Sequence, residues 1–383
     1  MSEWKEYKLG DVCTELSDGL HKAPIFKEGG DYIFVNAKNI ANGFIVDNDP
    51  TKKSTYEEFL KYSSPLNDTT ILYSIDGTIG NIALYRGEKC ILGKGACYMN
   101  PNPQMLDRMY LYYELQSLRF KAYIDQMSTG STIQHISLKT MRNYIFSCPP
   151  LSEQKRIASI LGSLDDKIDL LNRENATLEA MAETLFRQWF IEEAKEDWEE
   201  NPLSSIATFL NGLACQKYPP KNEIEKLPVL KIRELTNGIG ADSDWATTDV
   251  GDEYIVHAGD VIFAWSASLM VKIWDGEDCI LNQHLFKVTS NHYPKWFYYF
   301  WCKHHLNEFI SIAQSHATTM GHIKRGDLDT AMVLVPSDNE LQAMTVQMNV
   351  LLQKIANNNK QINTLVQSRD GLLPRLMSNE LTI

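Results

Sequence analysis

Pro149-Pro150-Leu151-Ser152-Glu153-Gln154-Lys155-Arg156-Ile157 opens the stretch whose reading decides the fold. From Ile157, apolar residues recur at Leu161, Leu164, Ile168 and Leu171, then the series continues through Asn175, Leu178, Ala182, Leu185 and Trp189. The steps alternate between four and three residues, a heptad seam sustained over more than four heptads. Ser152 reads as the N-cap of this helix. A second seam runs through Met344, Met348, Leu351, Ile355, Asn358, Ile362, Leu365, Arg369 and Leu372. Each of these lies 187 residues after a member of the first seam. Ser337-x-x-Glu340 forms a capping-box pattern at its start. Helices of this length span about 50 Å at 1.5 Å per residue, and two seams in phase predict that they pack on each other.

A related offset, drifting between 187 and 195, governs the rest of the chain. Trp4-x4-Leu9-x2-Val12 recurs as Trp198-x4-Leu203-x2-Ile206, and Val35-Asn36-Ala37-Lys38-Asn39-Ile40-Ala41-Asn42-Gly43 as Leu230-Lys231-Ile232-Arg233-Glu234-Leu235-Thr236-Asn237-Gly238. Cys90-Ile91-Leu92 recurs as Cys279-Ile280-Leu281, Tyr110–Tyr113 as Phe297–Phe300, and His135-Ile136 as His322-Ile323. An ordered series with slowly drifting spacing is the mark of an internal duplication. Each unit reads as a globular part followed by a helical part. Ile71–Ser74 and Val261–Ala264 read as buried strands, and Met109–Tyr123 and Trp296–Ile312 as helices. Two duplicated units in one chain are expected to relate by a pseudo-twofold axis, which makes the long helices antiparallel. Burying Asn175 or Asn358 alone would leave an amide unpaired, so the two are expected to face each other and fix the register. Leu171 then faces Ile362, Ile168 faces Leu365 and Leu178 faces Ile355.

The chain has 383 residues, 44% hydrophobic and 22% charged, enough for two sizeable cores. That composition excludes collagen-like, mucin-like and wholly disordered classes. No apolar run approaches the roughly 18–20 residues that span a bilayer. The charged start, Met1-Ser2-Glu3-Trp4-Lys5-Glu6, lacks the apolar stretch of a signal peptide. Seven Cys without a Cys-x-x-Cys pair point to buried free thiols in a cytosolic protein rather than a zinc ribbon. His304-His305, His316 and His322 are close in sequence, but no carboxylate or Cys completes a metal site at ligand spacing. The net charge of −12 taken alone opposes nucleic-acid binding. Its distribution weakens that objection: residues 151–200 hold −7 of it, whereas residues 1–150 carry −1. Acids such as Glu192-Glu193 and Glu199-Glu200 suit a protein-docking or solvated face better than a DNA face.

Pro149-Pro150-Leu151-x-Glu153-Gln154-x-x-Ile157-x3-Leu161-x2-Leu164-Asp165-x-Lys167-Ile168 resembles the central conserved region of type I restriction-modification specificity subunits. Leu372-Leu373-Pro374-Arg375-Leu376-Met377-Ser378-x-Glu380-Leu381 resembles their distal conserved region. The resemblance covers the whole chain. Two departures stand out: Glu340-Leu341-Gln342 replaces the Glu-Gln pair of the first copy, and the second helix lacks the Trp189-Phe190 aromatics. The resemblance implies an α+β fold: two tandem globular α/β target recognition domains separated by two long conserved antiparallel coiled-coil helices, pseudo-twofold symmetric. Residues 1–150 would be the first recognition domain, 151–195 the central helix, 196–337 the second recognition domain and 338–383 the distal helix.

The resemblance also implies the function. Each globular domain would read one half of a bipartite double-stranded DNA site, while the helices set the spacer. Two modification (methyltransferase) subunits that use S-adenosylmethionine to methylate adenine N6 would dock on the chain. Two restriction subunits would supply ATP- and Mg-dependent translocation and cleavage. The chain itself would hold no cofactor and no catalytic centre. In agreement, the sequence has no Asn/Asp-Pro-Pro-Tyr/Phe, no Gly-x4-Gly-Lys-Ser/Thr and no His-Glu-x-x-His. A duplicated coiled-coil scaffold that never touches DNA, and a self-sufficient enzyme, are the competing readings.

Base discrimination needs forked amides or guanidinium groups, and phosphates need cations or hydroxyls. Three polar clusters recur at equivalent places. The first is Asn36, Lys38 and Asn39, mirrored by Lys231, Arg233 and Glu234. The second holds Ser74, Asp76 and Thr78, mirrored by Trp265, Ser266 and Ser268. The third holds Ser131, Thr132, Gln134 and His135, mirrored by Thr318, Thr319, His322 and Lys324. Lys94, Gln283 and His284, just past the repeated Cys-Ile-Leu, join them. Solvated strand faces, ordinary turns and a helix cap are the structural alternatives for these clusters. Removing Lys231 and Arg233 is expected to weaken DNA binding by the second domain, and deleting residues 338–383 to abolish association with the modification subunits.

Overall fold

The heptad seams become two long helices in the computed structural model, which describes residues 4–47, 51–128, 135–315 and 321–381. Leu151–Arg187 is a helix of 37 residues and Asp338–Met377 one of 40. Every seam position of both is buried or half-buried. The first helix starts at Leu151, because the Pro150 carbonyl accepts the N–H groups of Glu153 and Gln154 at 2.9 and 3.0 Å. Ser152 therefore sits inside the first turn and is not the cap. Gln154 is buried there. Its amide donates to the carbonyls of Pro149 (2.9 Å) and Met105 (3.0 Å) and its oxygen accepts the Asp107 N–H (2.8 Å).

Compactness divides the chain into residues 1–168 with 364–383, and residues 169–363. Each unit takes its globular part together with pieces of both long helices, since neither globular part closes its core alone. In the first unit, Ile157 and Leu161 of one helix and Leu376 and Met377 of the other share a core with Leu9, Ile71, Tyr73, Met99, Phe120 and Phe146. Arg369 reaches Asp165 at 2.9 Å across the helix pair, and Tyr113 donates to the same carboxylate at 2.7 Å. In the second unit, Ala182, Phe186 and Phe190 pack with Met348 and with the aromatic run Trp296–Trp301. There Asn358 donates to Asn175 Oδ1 at 2.9 Å, and Asn175 donates to Asn359 Oδ1 at 2.6 Å. Glu174 accepts from Asn358 at 3.1 Å and pairs with Lys354. Within the unit, later residues of the first helix meet earlier residues of the second, so the helices run antiparallel.

The two globular parts repeat one topology. In the first, strands order as 13–18, 96–101, 71–74, 82–84, all antiparallel neighbours. In the second, the order is 208–211, 285–289, 261–264, 270–273, again antiparallel. Beside each, the repeated Cys-Ile-Leu strand pairs in parallel with the strand before the first polar cluster, Val35 against Leu92 and Leu230 against Leu281. The amphipathic stretch 109–123 is not one helix. It divides into Arg108–Glu114 and Leu118–Met127, the second capped by Ser117 Oγ, which accepts the Phe120 N–H at 3.2 Å. The stretch 296–312 divides likewise into Lys295–His304 and Leu306–Ser315. Among the described residues, no helix is long and apolar enough to cross a membrane.

Glu340 joins the start of the second long helix to the segment that enters the second globular part. Its carboxylate accepts the Ser337 N–H at 3.1 Å, the Ser337 hydroxyl at 2.6 Å and the Trp198 indole N–H at 3.2 Å, and it pairs with Lys195. The Lys195 hydrogen bond, then those from Ser337, hold its carboxyl far below the ordinary 4.5, at about 2. A carboxyl depressed on folding stabilises the folded state above its unfolded value and loses that contribution as pH falls through the folded one. Glu340→Gln should therefore lower Tm at neutral pH, and the gap from the native protein should close as pH drops from about 4.5 toward 2. A gap that persists undiminished in acid would contradict this assignment.

Candidate nucleic-acid interface

In the first unit, four chain segments that leave strands of two neighbouring sheets come together: 19–23, 36–39, 75–78 and 93–95. Together they line an open cleft of about 490 Å³ whose walls include Asn36, Lys38, Asp76, Thr78 and Lys94. Five of the residues singled out in the sequence thus share one surface. His135 joins it through a bridge to Asp76. Backbone hydrogen bonds fix the arrangement. Leu20 donates to Leu92 (2.7 Å), Lys94 to Leu20 (3.1 Å), Ile75 to Gly95 (3.0 Å), Ile136 to Ile75 (2.9 Å) and Gly93 to Val35 (2.8 Å).

The second unit builds the same cluster bond for bond. Leu213 donates to Leu281 (2.9 Å), Gln283 to Leu213 (2.8 Å), Trp265 to His284 (3.4 Å), Ile323 to Trp265 (3.1 Å) and Asn282 to Leu230 (3.2 Å). Ser266 bridges His322 as Asp76 bridges His135. Gly77 and Ala267 occupy equivalent places with φ of +74° and +58°. One scaffold therefore carries two sets of side chains. The first set is charged: Lys94 Nζ lies 3.8 Å from Asp76, and His21 pairs with Asp18 at 3.1 Å. The second has Ser266 at the place of Asp76. Trp265 Nε1 donates to Asn211 at 3.1 Å, Ser266 Oγ and His284 Nδ1 are 3.1 Å apart, and Gln283 stands where the first unit has Lys94. Thr78, Ser268, His284, His322 and Lys324 are exposed, while Gln283 and Trp265 are half-buried.

Several residues of the predicted clusters belong to the scaffold instead. Asn39 is 1% exposed; its oxygen accepts the Asn36 N–H at 3.1 Å and its amide donates to Val46 O (3.1 Å) and Thr51 Oγ1 (3.0 Å). Ser74 is fully buried, with Oγ accepting the Asn81 N–H at 2.8 Å. Ser266 is buried as well. These side chains shape the turns from within. Glu234, the counterpart of Asn39, is equally buried and accepts from Arg233 at 2.6 Å and from Ser243 at 3.1 Å. Arg233 also reaches Asp242 at 2.7 Å, and Lys231 pairs with Asp244. The Lys231 hydrogen bond and charge hold the Asp244 carboxyl below its ordinary value of 3.8. Both cations of this turn are thus already neutralised within the protein. Ser131, Thr132 and Gln134 of the third cluster, and Thr318 and Thr319 of its mirror, lie outside the described residues.

The sequence reading missed the segment 19–23, with Leu20, His21 and Ala23 on the cleft wall, and Asn211 in the second unit. The available signal was Asp18-Gly19-Leu20 recurring as Asn211-Gly212-Leu213. Among the described residues, no group of three or more His, Cys, Asp and Glu could hold a metal ion.

Comparison with known proteins gives a consistent picture. The family described as type I restriction modification DNA specificity domain matches residues 1–180 and again residues 195–367. The type I restriction enzyme MjaIX specificity subunit of Methanocaldococcus jannaschii is 25% identical over 412 aligned positions, covering all of this chain and 94% of that one. The HindI specificity subunit of Haemophilus influenzae is 24% identical over 203 residues, 50% of this chain and 42% of its own. The crystal structure of a type I restriction-modification S subunit from M. genitalium covers 98% of this chain and 96% of its own, with a TM-score of 0.56 at 16% identity. That last likeness is one of fold.

Proposed function

This chain belongs to the type I restriction modification DNA specificity family, and from that membership we propose that its two loop clusters each read one half of a bipartite double-stranded DNA target. It is the specificity subunit of such a system, with two repeated target recognition domains. The observation that carries the proposal is the duplicated cluster: the same backbone hydrogen bonds present a different set of polar side chains in each unit. A fixed frame with exchangeable side chains is what reading two unlike half-sites requires, since base edges are told apart by donor and acceptor pattern. Exposed Lys38, Thr78, Lys94, Ser268, His284, His322 and Lys324 and half-buried Asn36, Asp76, His135, Gln283 and Trp265 supply the DNA contacts.

In this reading the chain catalyses nothing. Two modification subunits dock on the outer faces of the long helices and bring S-adenosylmethionine for adenine N6 methylation. Two restriction subunits bring ATP- and Mg-dependent translocation and cleavage, and the long helices set the spacer between half-sites. The assembly works in the cytoplasm. Sequencing methylated adenines genome-wide, with and without this chain, tests the proposal. A bipartite motif methylated only when the chain is present is the expected result. Methylation indifferent to the chain would overturn it, and would favour the scaffold reading.

A further inference from the structure

The two clusters differ most in what their cations are doing. At the turn after the parallel strand, the first domain places Lys38 in solvent, with no ion-pair partner among the described residues. Lys94, on the same cleft, is 3.8 Å from Asp76. That is a loose ion pair, too long for a hydrogen bond, and the ammonium stays exposed on the cleft. At the equivalent turn of the second domain, Lys231 is paired with Asp244. Arg233 bonds Glu234 through Nε (2.9 Å) and NH2 (2.6 Å), and Asp242 through its carboxylate (2.7 Å) and its carbonyl (2.9 Å). Arg233 is half exposed, yet four hydrogen bonds fix its fork toward residues 234 and 242. Three carboxylates surround two cations there, and the place of Lys94 is taken by Gln283.

Resting on the DNA-reading function above, we infer that Lys38 and Lys94 grip backbone phosphates, whereas Lys231 and Arg233 are positioning residues that clamp segment 239–244 onto the second recognition turn and touch no phosphate. An ammonium held by a carboxylate would have to give up that partner before meeting a phosphate, and the surrounding acids repel the phosphate meanwhile. The clamp pre-orders the second turn, and reading there proceeds through hydrogen-bonding groups such as Gln283 and His284. Lys324, exposed beyond Ile323, lies outside the clamp and keeps its charge available for DNA.

Salt dependence separates the two roles, because each phosphate contact contributes about 0.9 to the slope of log affinity against log salt. The complex of this chain with its modification subunits is titrated with two duplexes, one carrying the methylated motif and one of random sequence. Lys38→Ala with Lys94→Ala should reduce the slope by about 1.8 on both duplexes. Lys231→Gln with Asp244→Asn removes the charges of the pair while leaving groups that still hydrogen-bond. It should change the slope by less than about half of one contact and preserve preference for the motif. A drop of about 0.9 in that variant would place Lys231 on a phosphate, and an unchanged slope in the lysine double variant would remove Lys38 and Lys94 from the backbone. Either result overturns the inference while leaving DNA reading intact. Absence of any motif preference in the native complex would instead sink the functional reading itself.

Discussion

Replacing Arg119 by Met should cost the first recognition domain about 3 kcal/mol, the low end of what breaking a buried ion pair costs, because part of the guanidinium faces solvent. Its partner Glu114 is fully buried at the end of helix 108–114. Arg119 holds that carboxylate through Nε at 3.1 Å and NH2 at 2.6 Å, and the Tyr144 hydroxyl donates to it as well. Burial pushes the Glu114 carboxyl above its ordinary value; Arg119 and Tyr144 work against that rise. Without Arg119 the group is lifted further. A carboxyl raised on folding favours the folded state only below its unfolded value, so the damage should grow as pH rises from about 4.5 toward neutrality. Urea denaturation of the full chain at two pH values measures this. Glu114→Gln combined with Arg119→Met should recover much of the loss, because no buried charge is left unpaired. Native stability of Arg119→Met at neutral pH would contradict the account.

That triad was invisible in the sequence. Glu114 falls on an amphipathic helix among tyrosines and looks like an ordinary solvated acid; only the packing of residues 119 and 144 around it puts it in a core. The long helices were the opposite case. Their seams repeat every seven residues, and periodicity is a property of the sequence itself. The opposed amides of Asn175 and Asn358 follow from one rule, that a buried amide needs a partner. The stretch 109–123 reads as one helix because Ser117, which caps its second half, leaves the apolar spacing undisturbed.

The recognition clusters were legible only as places. Duplication pointed to loops that the fold does gather into equivalent clusters, because an equivalent position in two copies must serve an equivalent backbone. It could not separate frame from reader. Asn39 and Ser74 carry the polar groups that DNA contact would use, yet both face inward and satisfy backbone groups of their own turns. Lys231 and Arg233 read as phosphate ligands by spacing, and the fold sets Asp244 and Asp242 beside them as ion-pair partners. A side chain's partners depend on which loop packs against it, and that is set by the fold rather than by spacing.

Gly19 and Gly212 give the sharpest test of the shared frame. Each precedes the Leu whose N–H anchors its loop to the Cys-Ile-Leu strand. A Cβ on Gly19 would lie 2.2 Å from the Leu92 carbonyl carbon and oxygen, and one on Gly212 2.3 Å from the Asn282 oxygen. Backbone cannot swing aside as a side chain can, so the strands must part and the anchoring bond must stretch. Gly19→Ala or Gly212→Ala should then displace one recognition loop while the sheet beneath, held by its own ladder, still folds. Each mismatched base pair costs about 1–3 kcal/mol, so losing a half-site of several pairs should weaken target binding more than about 100-fold. The variant should also become indifferent to scrambling of the half-site its altered domain reads, and remain sensitive to scrambling of the other. Gly77→Ala is the control. It has φ of +74° and nothing within 4 Å of its added carbon, and the second domain already holds Ala267 at +58° in the equivalent place. The left-handed conformation costs an alanine about 1–2 kcal/mol, without moving a strand. Its binding should fall by no more than about tenfold, with sensitivity to both half-sites retained. Should Gly19→Ala bind as Gly77→Ala does, the loops would not be held by the Leu20 and Leu213 anchors, and the common frame would lose its physical basis.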